Sequence, residues 1–213
     1  EREQRLKHVL FVMGARSLDY WASHILSDAA IFLVPMLAAL LAGVIANNPT
    51  FAFPYLSATL LLMVFFCLAM PACVYPITLL FDTSKSVLRW LSTVLLFTTS
   101  IPMSIMFSVS LTMPGVADTV GLLLSISPPM AFAWGLFKVG VAAIIARDGL
   151  SEAPATFSSA VREAGVVPQA LMMLAVTVAS LAFLISRDLR AYRHAKRPAP
   201  AAERLAGVGG AGE

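Results

Sequence analysis

Three side chains in one short stretch carry the types and spacing for polar chemistry in an otherwise apolar chain. Tyr20, His24 and Asp28 stand at i, i+4 and i+8, so a helix brings them to one face. A phenol, an imidazole and a carboxylate in series can relay a proton or hold a fixed hydrogen-bonded clamp. Relay or hydrolytic chemistry needs a second acid or a nucleophile–base pair, and no motif joins such a group to these three. An intramembrane hydrolase is therefore disfavoured, and a structural polar clamp is the reading kept. Its plainer alternative places Asp28 at the headgroup boundary, because a carboxylate deeper in a bilayer is expensive.

Other chemistry-bearing residues are few. Cys67 and Cys73 lie inside one apolar run, where they read as small apolar filler and not as a disulfide or metal pair. Lys138 interrupts another apolar run, and can meet a lipid phosphate or extend its amine to water. Pro71, Pro76 and Pro102 fall within apolar runs, where a missing N–H frees a carbonyl and allows a hinge or merely shapes packing. No G-x-x-x-x-G-K-[ST] occurs anywhere, so the chain carries no such phosphate cradle.

The elements that must position these residues follow from composition. Of 213 residues, 59% are apolar and 13% charged, with a mean hydropathy of +0.83. That lies outside the range of soluble domains and predicts an all-α, polytopic membrane protein, since several uncharged runs reach the roughly 20 residues that cross a bilayer. Transmembrane barrels would show short alternating segments instead. A net charge of +3, placed at loop ends and in the tail, gives no stripe for nucleic acid.

In chain order, Arg2, Glu3, Arg5 and Lys7 surround an apolar face of Leu6, Val9, Leu10 and Met13, which makes residues 1–16 an amphipathic surface helix. Ser17 and Asp19 are expected to cap the next helix. Full spans are predicted at about 17–46, 55–81, 87–112 and 167–186, with Pro71 and Pro76 breaking or kinking the second near its far end. Residues 120–146 are apolar but broken at Ser127, Pro128 and Pro129, and fit either one kinked span or a re-entrant pair of helices. The positive-inside rule chooses between them, because Arg187, Arg190, Arg193, Lys196 and Arg197 after the last span belong on the cytoplasmic side. Residues 120–146 are then a hairpin dipping in from the exoplasmic face, followed by a polar exoplasmic segment at 147–166. Both ends of the chain are expected to be cytoplasmic. Residues 198–213 read as a flexible linker or a truncation point, and with no Met before Glu1 the chain is expected to be a piece of a longer one.

This order of elements resembles the transmembrane domain of type-2 ABC exporters. Three stretches, EREQRLKHVLFVMGARSLDYWASHILSD, AMPACVYPITLLFDTSKS and ISPPMAFAWGLFKV, are similar to the second transmembrane domain of the ABC transporter A subfamily. The matching residues are Lys7, His8, Gly14, Tyr20, Trp21 and Asp28, then Pro71, Tyr75, Pro76, Leu80 and Phe81, then Pro128, Pro129, Gly135 and Leu136. Ala15 departs from the family's usual Val, and 147–165 has no counterpart. The resemblance implies a partial exporter domain with four full spans and an exoplasmic hairpin. Its function would be moving lipids or other hydrophobic cargo, and it would not be an enzyme by itself. It implies a cytoplasmic coupling helix at 1–16, with Arg2, Arg5, Lys7 and His8 facing an ATP-binding domain. ATP and Mg would belong to that missing domain, with no cofactor in this chain. The implied partners are membrane lipids, ATP-binding domains and a second transmembrane domain of the same full-length chain. The alternative is a non-transporting multi-pass anchor or scaffold.

Overall fold

The computed structural model describes residues 16–79, 81, 84–150, 154 and 156–195, and is all-helical over them. Helix α1 is Ser17–Ile45. A single 3₁₀ turn at Pro49–Phe51 leads to α2, Leu56–Thr78. Helix α3, Ser84–Leu95, passes through a π-helical turn at Leu96–Ser100 into α4, Ile101–Thr112. Helices α5, Pro114–Leu124, and α6, Pro128–Arg147, form a hairpin. A short α7, Phe157–Glu163, precedes α8, Val167–Ala195. Among the described residues, five helices are long and apolar enough to cross a membrane: Ser17–Ile45, Leu56–Thr78, Ser92–Thr112, Pro128–Arg147 and Val167–Arg190.

Helix α2 is the centre of the bundle. Its span has 44% of its residues buried within the fold, against 6% for α1 and for Ser92–Thr112, so those two present most of their surface to the surroundings. Ala58, Leu62, Phe66 and Ala69 recur at helical spacing along the buried face of α2. Against them pack Ala131, Val139 and Ala143 of α6 and Met173 of α8.

The ends of the bundle can be read from side-chain pairs. At one end Ser17 and Trp21 of α1 meet Asp188 of α8. At the other, Tyr55 before α2 bonds Glu163 of α7, and Ser110, Pro114, Ile145 and Glu163 surround one cavity. The hairpin therefore begins and finishes at the Tyr55 end. Phe132 stacks on Phe66 midway along α2, with ring centroids 4.5 Å apart. For near-antiparallel helices, counting onward at the α-helical rise puts the turn at residues 125–127 about 10 Å short of the Thr78 end.

Chain breaks follow local chemistry. Asn47, with φ 54°, closes α1 by a Schellman turn in which Asn48 N donates to the Gly43 carbonyl at 3.1 Å. Gly149, with φ 72°, does the same for α6, where Leu150 N donates to the Ile145 carbonyl at 3.1 Å. Pro128 and Pro129 occupy the first turn of α6, where a missing N–H costs nothing.

Local expectations are refined. Ser17 does not cap α1: the N-cap is Arg16 without a side-chain bond, because the Ser17 hydroxyl is used on Asp188. Of the break or kink expected at Pro71 and Pro76, no break occurs: the second span remains one α-helix to Thr78. A transmembrane helix packed on its neighbours tolerates the two lost donors. The hairpin starts at Pro114 rather than near 120. The segment 147–166 is also less uniformly polar in role than its composition implies, since α7 buries Ala160 and Val161 behind a Thr156–Ser159 capping box.

Candidate functional site

Two polar joints tie α1 to the helices beside it. In the first, Trp21 Nε1–H donates to Asp188 Oδ2 at 2.7 Å and Ser17 Oγ donates to the same oxygen at 2.9 Å. In the second, the Tyr75 hydroxyl of α2 donates to Asp28 Oδ2 at 2.5 Å. The Trp21 and Tyr75 rings meet edge to face at 5.4 Å, which joins the two into one patch across α1, α2 and α8. Trp21 is buried, and Tyr75, Asp28 and Asp188 are half-buried. Hydrogen bonds to a carboxylate are stronger than neutral ones, and withdrawal from water strengthens them further.

Tyr20, His24 and Asp28 share a face of α1. The His24 ring sits against Tyr20 at 4.5 Å with its side chain exposed, while Asp28 turns to Tyr75. Asp188 and Trp21 escaped the sequence reading as a pair. Asp188 stands within the basic run after the last span, where its charge drew no notice. Arg2, Arg5, Lys7 and His8 lie outside the described residues.

Pro102 is the second residue after the π turn, which ends at Ser100. A proline has no N–H for the carbonyl four residues back and its ring crowds that carbonyl. The π turn widens the helix immediately before it, and Ile101 N–H reaches back five residues to the Leu96 carbonyl. Pro71 is buried and Pro76 half-buried in the centre of the bundle.

At the other end, Lys138 is paired: its Nζ lies 2.7 Å from Asp118 Oδ1 on the opposite limb of the hairpin. The pair borders an open cavity of about 430 Å³ lined by α4, α5, α6 and the end of α7. Trp134 and Phe137 stack there at 5.1 Å, and Gly121 lets α5 approach the Trp134 ring directly. Tyr55 is buried beside this region, and burial, then the hydrogen bond and charge of Glu163, push its phenol up to about 12. It is thus a neutral donor to Glu163 at 3.0 Å throughout the physiological range.

Among the described residues no group of His, Cys, Asp and Glu is placed to hold a metal ion. The arrangement can bind, lock and move, but it assembles no nucleophile with a base.

A family model described as ABC-2 family transporter protein matches residues 1–186. No curated protein and no solved structure matches the chain.

Proposed function

Because the chain belongs to the ABC-2 transporter family, it is an integral, multi-pass transport module that is not catalytic by itself, and we propose that it exports lipids or other hydrophobic cargo. ATP binding and hydrolysis then belong to partner domains, and a second transmembrane domain completes the pathway. Likeness to the A subfamily rests on the motifs around Tyr20, Trp21 and Asp28, around Tyr75 and Pro76, and around Pro128 and Pro129.

The observation that carries the mechanism is the patch at the Ser17 end. Residues 1–16 enter α1 immediately before Ser17, so Arg2, Arg5, Lys7 and His8 form the surface on which an ATP-binding domain pushes. The Asp188 and Asp28 joints fix the base of α1 to α8 and α2. A displacement of the segment before Ser17 therefore moves three helices together rather than bending one. Pro71, Pro76 and the π turn before Pro102 are the places where that motion is absorbed. The membrane domain supplies two conformations with different cargo affinity, and the partner domains drive the exchange between them.

The Ser17 end is cytoplasmic in this proposal. Arg16, Arg187 and Arg190 are exposed there, as the positive-inside rule requires. The hairpin is re-entrant from the exoplasmic face, supported by its two ends lying together beside Glu163 and by its turn stopping short of the far end of α2.

The test reconstitutes the full-length transporter in vesicles and reverses charge with Arg2→Glu, Arg5→Glu and Lys7→Glu. Loss of ATP-dependent lipid movement with retained expression and helicity is the expected result. Normal lipid-stimulated ATPase and transport would refute the coupling role.

A further inference from the structure

The cavity beside the hairpin has a chemistry that the transport reading does not use. Its charged border is the Lys138–Asp118 pair, in which the lysine side chain is 20% exposed and the aspartate 61%, together with the Glu163 carboxylate that accepts a hydrogen bond from Tyr55. Its apolar wall includes Leu111 of α4 and Phe137, Val141 and Ile145 of α6. Val141 and Ile145 follow Lys138 at helical spacing and stay exposed, so an apolar track leads from the charged border to the outer surface.

The ligand class follows from the pairing. A simple anion arriving at Lys138 meets an ammonium already compensated by a carboxylate 2.7 Å away, and gains little net attraction. A simple cation arriving at Asp118 faces the Lys138 ammonium 2.7 Å away, and the second carboxylate of the lining, Glu163, is already engaged by the Tyr55 hydroxyl. A dipolar group lying head to tail along the pair satisfies both charges and displaces neither. Trp134 and Phe137, stacked at 5.1 Å, both line the cavity and give an ammonium aromatic surface to approach. A volume of about 430 Å³ suits a headgroup with the first part of its chains, and lies within the usual range for small-molecule pockets.

We propose that this cavity holds the headgroup of a zwitterionic phospholipid. The phosphate lies against Lys138, the ammonium lies toward Asp118 and Phe137, and the acyl chains run along Val141 and Ile145. The proposal rests on the chain being embedded in a membrane and does not require lipid to be the cargo.

The experiment places the full-length protein in nanodiscs of mixed phosphatidylcholine and phosphatidylglycerol, with a trace of photoreactive phosphatidylcholine labelled near the glycerol. Adducts are mapped by mass spectrometry and competed with short-chain phosphatidylcholine, short-chain phosphatidylglycerol and soluble phosphocholine. Adducts should fall on α4 and α6, and short-chain phosphatidylcholine should displace them about fivefold better than phosphatidylglycerol, as expected for one uncompensated charge at a membrane surface. Asp118→Asn should reduce that preference, because Glu163 alone then opposes the Lys138 charge, and the exchange of Asp118→Lys with Lys138→Asp should retain the original preference. Equal displacement by the two lipids, equal displacement by soluble phosphocholine, or adducts only elsewhere would overturn the proposal. The competition on the unsubstituted protein decides without any variant having to fold. Transport that survives loss of the label under Lys138→Met leaves the export reading standing, so the two ideas fail separately.

Discussion

Gly121 offers the sharpest test of how the hairpin is built. A Cβ added there would sit 2.4 Å from Trp134 Nε1 and 2.7 Å from Cε2. The indole cannot easily yield, because it is 2% exposed and stacked on Phe137. Overpacking of this kind costs about 1–3 kcal/mol. Against it stands a helix-propensity gain for Gly→Ala of up to about 1 kcal/mol. Sterics win, and Gly121→Ala should destabilise the fold by about 1–2 kcal/mol. In a domain of this size that is a fall in melting temperature of about 2 to 8 °C. Gly115, on the same helix with nothing within 4 Å of its added Cβ, supplies the control: Gly115→Ala should be neutral or slightly stabilising. Helical circular dichroism of the purified protein in detergent reads both. A third variant separates sterics from chemistry. Trp134 Nε1 is buried without a hydrogen-bond partner, so Trp134→Phe removes packing but breaks no such bond. The pair Gly121→Ala with Trp134→Phe should therefore cost less than the sum of the single changes, by at least about 0.5 kcal/mol. Strict additivity, or a Gly121→Ala melt matching that of Gly115→Ala, would refute the close approach of the two limbs.

Tyr75→Phe removes the donor to Asp28 and should cost about 1 kcal/mol, the low end for a charged acceptor because Asp28 is only half-buried; the same change in an Asp28→Ala background should cost markedly less when melts are compared. Tyr55 has its pKa raised from 10.0 to about 12, so its folded state favours the neutral phenol. That contribution is fully present below about pH 10 and is lost as pH rises toward 12. The stability difference between the wild type and Tyr55→Phe should shrink over that window in parallel chemical melts. Pro102→Ala restores an N–H to the helix after the π turn, and should slow hydrogen exchange at residues 96–102 while lowering ATP-dependent transport; faster exchange with unchanged transport would remove Pro102 from the list of hinges.

That the chain is built of apolar, membrane-crossing helices was legible because membrane crossing is a property of runs, and uncharged runs are visible in one dimension. Pairings were not. Asp28 was readable as costly, but its partner Tyr75 comes from the next helix, and no local spacing connects them. Asp188 sits among arginines, where it reads as part of a basic exit until α8 folds back on Trp21. Lys138 read as a lone cation turned to a lipid phosphate or to water, because Asp118 lies on the other limb of the hairpin. Pro102 was visible as a defect, whereas its accommodation by a π turn depends on helix geometry. The short helix before α8 lacked the usual Glu or Gln of a capping box and used Ser159 instead. The common cause is that a polar group among apolar neighbours must find a partner or lose several kcal/mol, roughly, of solvation. Such partners come from whichever element packs alongside. In this chain the carboxylates of Asp28, Asp118, Glu163 and Asp188 each engage a residue from a different element. A role assigned to any one of them alone would therefore be incomplete. Removing Tyr75, Lys138, Tyr55 or Trp21 probes the same joints as removing the acid, and the two kinds of variant should share a phenotype wherever the joint, rather than the charge, carries the function.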